Sequence, residues 1–197
     1  MKFKLFGTEI YISFLFAALI TFMIATDRTG LIIPTFFAVV LHEMGHLFAM
    51  WVTECTPNSI NLIPASIQII RGFSKKKYGE TVIALCGPIA NFVIFLGTYI
   101  NYLKTNNENI ITFGLLNLII GLFNLLPVWR LDGGTVLFNL LNRFFGVVKA
   151  ERAVKVTTLI TAISIFIVGI FAALKGFFNP SVFIIAIYLL ISVIIKF

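Results

Sequence analysis

Six long apolar runs, at about 11–26, 31–53, 80–103, 110–126, 153–174 and 178–196, alternate with short polar stretches along the chain. Each approaches the roughly 20 residues that a helix needs to cross a hydrocarbon core, so the pattern predicts an all-α membrane protein with six transmembrane helices. Two stretches break the rhythm. Residues 56–72 mix polar positions with Ile60, Leu62, Ile67 and Ile69 around Pro64, an alternation that suits short strands or a re-entrant segment. Residues 127–146 open on a helix stop and turn chemistry, then resume as an apolar half-helix over 135–145. Irregular backbone at membrane depth is stable only where it lines a cavity or packs on protein, so both stretches are expected beside a site. Residues 2–12 alternate in part, as an interfacial strand or as an irregular lead-in to the first helix.

Composition sharpens the membrane reading. Hydrophobic residues make up 59% of the 197 positions, charged residues 12%, and the mean hydropathy is +1.03, outside the range of soluble domains. One membrane domain over 1–197 is expected, with no internal repeat. The first run has the basic start of Lys2 and Lys4 but no small-residue cleavage site before Asp27 and Arg28, so it reads as a retained span. The net charge of +7 invites a nucleic-acid reading, and the placement of the charge removes it. With six spans, 12 of the 15 lysines and arginines fall on one side; Arg28, Lys104 and Lys175 fall on the other. The excess of cationic residues on cytoplasmic loops then places both termini, and the loops at 54–79 and 127–152, in the cytoplasm of a multi-pass protein. Cys55 and Cys86 are too few for a disulfide framework and read as buried or interfacial thiols.

The second run carries His42-Glu43-Met44-Gly45-His46. Two histidines four residues apart project from one helical face and can share a metal, with Glu43 about 100° around the helix and able to take a proton from a metal-bound water. Two imidazoles and a carboxylate in an apolar span are each costly, which argues for chemistry. A catalytic zinc needs a third protein ligand. Of the later acids, Glu108 lies on the wrong side, and Glu54, Glu80 and Glu151 sit at span ends as solvated charge. Asp132 arrives from the cytoplasmic side, inside Asn124-Leu125-Leu126-Pro127-Val128-Trp129-Arg130-Leu131-Asp132-Gly133-Gly134. Asn124 either contacts substrate or an oxyanion, or is paired structurally. Asn91, in Cys86-Gly87-Pro88-Ile89-Ala90-Asn91, either shapes the active-site cavity as a substrate-binding residue or belongs to a small-residue packing seam.

Together these residues resemble the site-2 protease family of intramembrane metalloproteases, whose pattern is H-E-x-x-H in one span, small-Gly-Pro-x-x-Asn in the next, and Asn-x-x-Pro leading to Leu-Asp-Gly in a third. The resemblance covers about 31–145, puts the catalytic core at 31–146, and in its wording around Trp129 and Gly134 is to the sporulation branch of the family. It implies one zinc held by His42, His46 and Asp132, with Glu43 as general acid and base. The substrate is expected to be a membrane-tethered protein, a pro-sigma factor or another regulatory protein, cut near the cytoplasmic face of a bacterial cell membrane. Beside the lipid bilayer, an inhibitory membrane partner is a candidate, and no nucleic acid is expected. Departures from the family are Cys86, Arg130, and the expected lack of a CBS or PDZ domain. The competing readings are an inactive relative serving as a binding or chaperone module, and a metal transporter. The first usually loses Glu43 or a ligand, and the second needs ligands spread through both leaflets.

Overall fold

The apolar runs become helices, but not all of them reach spanning length. The computed structural model describes residues 2–5, 8–55, 57–63, 66–72, 74, 76, 78–177 and 180–196. Three of its helices, α2 (Ile32–Val52), α3 (Gly79–Thr105) and α6 (Val147–Leu174), are long and apolar enough to cross a membrane. The helices α1 (Phe14–Thr26) and α4 (Glu108–Asn124) and the apolar part of α7 (Pro180–Lys196) are shorter, so among the described residues length alone marks three of the six expected spans. The reasons are local. Residues 8–12 are drawn into a strand, and Ser13 caps α1 by accepting from the Phe16 N–H at 3.0 Å. The Asn107 side chain accepts from the Asn109 N–H at 3.0 Å at the start of α4, and Pro127 follows its end.

Both alternating stretches are strands. The strands β1 (Lys2–Leu5), β2 (Thr8–Ile12), β3 (Pro57–Ile63) and β4 (Ser66–Arg71) form one sheet in the order β1-β2-β3-β4, with β2 and β3 parallel and the other pairs antiparallel. The register aligns Ile10 with Ile60 and Ile60 with Ile69, which groups branched residues in one row as the two-residue period of a strand requires. The expected break at Pro64 and the start at Thr56 lie outside the described residues, as do Lys75 and Lys77.

The chain divides into two compact units, Met1–Phe123 and Asn124–Phe197. In the first, α2 packs on α3. The α2 face that is buried carries Ala38, His42, Gly45, His46, Ala49 and Met50, while Phe37, Met44, Phe48 and Trp51 are exposed. The buried face of α3 carries Gly79, Ile83, Ala84, Gly87, Pro88 and Asn91, and that of α4 carries Gly114, Asn117 and Gly121. Small and polar residues thus face inward and large apolar residues outward. That arrangement suits lipid, where close backbone approach and hydrogen bonds hold helices together because tails solvate Leu and Phe as well as a core does. Ahead of α2, the Asp27 carboxylate accepts from the N–H groups of Thr29, Gly30 and Ile32 and from the Thr29 hydroxyl. These bonds, that of Ile32 first and the Thr29 hydroxyl second, hold the carboxyl below its usual range.

In the second unit, a tight turn over 125–131 leads into α5 (Asp132–Phe145), which begins three residues before the expected 135. The turn is tied to α6: the Trp129 N–H donates to the Thr158 hydroxyl at 2.9 Å, and the Thr157 hydroxyl donates to the Pro127 carbonyl at 2.7 Å. Val128, Ala162 and Leu189 form a buried cluster there, with Leu126, Leu131 and Ile165 against it. A β-carbon on Gly133 or Gly134 would strike the Leu125 or Val128 carbonyl oxygen. The start of α5 therefore lies directly on the backbone of the turn, which accounts for two glycines after Asp132.

Candidate metal centre

The helix α2 presents two imidazoles to α3. Both are buried, His42 at 4% and His46 at 8% exposure, and their Nε2 atoms stand 3.1 Å apart. The Nδ1 atoms each meet an acceptor. That of His46 lies 2.8 Å from the Ile83 carbonyl oxygen, and that of His42 lies 2.6 Å from the Asn91 Oδ1. Donation from each Nδ1 fixes a tautomer with a lone pair on Nε2. Two lone pairs that approach to 3.1 Å are placed so that one cation could be shared between them. Two nitrogens at about 2.0–2.1 Å from a tetrahedral zinc stand roughly 3.3 Å apart, so the pair fits that ion. Glu43 is half-buried on the next position of α2.

The α3 backbone makes the room. A β-carbon at Gly87 would lie 2.5 Å from the His46 Cε1 and Nε2 and 2.9 Å from the His42 Cε1. One at Gly45 would strike the Cys86 carbonyl oxygen. The two glycines let α2 and α3 approach backbone to backbone and set the rings against α3. Pro88, inside α3 and buried, has no N–H for the Ala84 carbonyl and so loosens the turn beside them.

Asn91 is fully buried, and its amide is occupied by the protein. Its Oδ1 accepts from His42, and its Nδ2 donates to the Ala38 carbonyl at 3.2 Å and to the Asn117 Oδ1 at 2.9 Å. Through that contact the side chain orients the His42 ring. Asn124 is half-buried at the end of α4, at the start of the second unit. Asp132 is the first residue of α5, half-buried on the turn described above. Asn117 was not among the residues that the sequence singled out, although an amide at 117 between Gly114 and Gly121 in an apolar run was a usable signal. Cys55 donates its thiol to the Gly72 carbonyl at 3.0 Å, and it and Cys86 are not joined in a disulfide.

Comparison with known proteins adds four findings. Residues 105–168 match the sequence profile described as Peptidase family M50. A zinc metalloprotease of Methanocaldococcus jannaschii is 31% identical over 128 residues, 62% of this chain and 37% of that protein. The Stage IV sporulation protein FB of Bacillus subtilis is 26% identical over 120 residues, 58% of this chain and 41% of that protein. The chain thus spans well under half the length of these curated relatives. The solved structure of the site-2 protease from Methanocaldococcus jannaschii superposes with a TM-score of 0.69 at 24% identity, over 98% of this chain and 93% of that one, and so shares its fold.

Proposed function

We propose, from the match of residues 105–168 to peptidase family M50 and the fold shared with a site-2 protease, that the chain is a membrane-embedded zinc metalloendopeptidase. The observation that carries the reading is the pair of inward imidazole nitrogens 3.1 Å apart, each ring held at Nδ1 by an acceptor. His42 and His46 would supply two zinc ligands and Asp132, by the motif in which it stands, the third, a donor set suited to a catalytic ion. When bound, zinc supplies a water of lowered pKa and a Lewis acid for the scissile carbonyl. Glu43 takes the water proton and returns it to the leaving amine. Asn124, at the end of α4, is the candidate for contact with the substrate peptide.

The substrate is a membrane-tethered protein, a pro-sigma factor or another regulatory protein, cut near the cytoplasmic face of a bacterial membrane. A helical segment hides its amides from attack, so it must be unwound, and the edge strand β4 offers main-chain groups for it. The chain crosses six times with both termini cytoplasmic. The 17 residues of α4 and of α7 reach about 26 Å each, close to the hydrocarbon thickness of about 30 Å. The 12-to-3 division of lysine and arginine supports that orientation. An inhibitory partner would be a second membrane protein.

Reconstituted in vesicles with single-span substrates, the chain is expected to carry about one zinc and to lose cleavage on chelation. Asp132→Asn, which replaces an anionic ligand by a weak neutral one, is expected to lower zinc affinity and cleavage together by about tenfold or more. Undiminished zinc affinity in that variant removes Asp132 from the site.

A further inference from the structure

His46 is oriented directly by a backbone carbonyl, and His42 is not. Its acceptor, the Asn91 amide, has two ends that could exchange, and with Nδ2 toward the ring the opposite tautomer would be held. The direction must therefore be set elsewhere. Two carbonyls set it. The Asn117 Nδ2 donates to the Phe113 carbonyl one turn back on α4 at 2.9 Å, which turns the Asn117 Oδ1 toward Asn91. The Asn91 Nδ2 then has two acceptors, the Asn117 Oδ1 at 2.9 Å and the Ala38 carbonyl at 3.2 Å. A carbonyl oxygen can only accept, so reversing the Asn91 amide would set its oxygen against two further oxygens. With Asn91 and Asn117 both at 0% exposure, water is not at hand to relieve that.

We infer that Asn117 is a positioning residue for the metal centre: through Asn91 it imposes the Nδ1–H tautomer on His42 and keeps the Nε2 lone pair free for the ion. The polarity runs in one direction from the Phe113 carbonyl through Asn117 and Asn91 to the ring. The inference rests on His42 being a zinc ligand, while the tautomer itself is a property of the metal-free protein and is read there.

The chain has two histidines, so incorporation of ¹⁵N-histidine gives four ring nitrogens, and the metal-free protein can be read by NMR in micelles with both rings neutral. In the parent chain both rings are expected to carry the proton on Nδ1. Asn117→Leu, which keeps the branched shape at Cγ and removes the acceptor, is expected to shift His42 toward a mixture with Nε2–H and to weaken zinc binding about tenfold. Asn117→Asp is expected to restore both. A buried carboxyl stays neutral, its hydroxyl donating to Phe113 and its carbonyl accepting from Asn91. The His46 signals, set by Ile83, serve as the internal control for folding. Should N117L disturb His46 too, the parent chain and N117D decide. An Nε2–H tautomer of His42 in either of those, or unchanged His42 signals and zinc affinity in a folded N117L, overturns the inference. A chain that binds no zinc but shows the expected tautomers overturns the proposed function and leaves the relay standing.

Discussion

Glu43→Gln is expected to lower peptide hydrolysis by about 10²–10⁴-fold, the range that a general acid–base group contributes, while zinc stoichiometry and affinity stay unchanged. Glutamine keeps the shape of the side chain and loses only its capacity to take a proton. Glu43 follows His42 on α2 and is half-buried, whereas the ring nitrogens that face each other belong to the buried His42 and His46. Loss of the base should therefore separate chemistry from metal binding, with kcat falling and KM nearly constant. Cleavage measured beside metal content checks this. Full activity in the variant removes Glu43 from proton transfer, and loss of zinc makes it a ligand instead.

Gly87→Ala is expected to have a comparable effect by a different route. The added methyl would lie 2.5 Å from two atoms of the His46 ring and 2.9 Å from the His42 ring, separations that carbon atoms do not tolerate. Either the rings rotate off their acceptors or α3 withdraws from α2, and a displacement of about 1 Å at a reacting centre costs on the order of 10²-fold in rate. Zinc affinity and cleavage should fall together. Gly97→Ala, in the same helix with nothing within 4 Å of the new carbon, is the control and should leave both unchanged. Equal behaviour of the two variants would mean that space at Gly87 is not what the rings require.

The parts of the site written along one helix were legible in the sequence. His42, Glu43 and His46 are fixed relative to one another by the 3.6-residue period, and α2 occupies nearly the run expected for it. The strands of 56–72 followed from the alternation of Ile60, Leu62 and their neighbours, since a two-residue period has few other uses. What could not be read depends on approach between elements. The room at Gly87, the carbonyl of Ile83 and the Asn91–Asn117 pair exist only once α2, α3 and α4 have packed. Asn91 was left between two roles because nothing in the order of residues reveals that Ala38 and Asn117 take up its amide. The start of α5 at Asp132 was likewise hidden, because Gly133 and Gly134 read as part of the turn until they are seen seated on the carbonyls that precede them. The length of α1 was overestimated because hydrophobicity does not distinguish an interfacial strand such as Thr8–Ile12 from the first turns of a helix.

The seam between α2 and α3 has a mechanical consequence. Gly45 lies against the Cys86 carbonyl, Asn91 reaches the Ala38 carbonyl, and His46 reaches that of Ile83. The same few bonds fasten the two helices and aim the rings, so whatever prises α2 from α3 also releases the imidazoles from the acceptors that orient them. Wear at this joint would be felt as a loss of alignment at the rings before either helix unwinds.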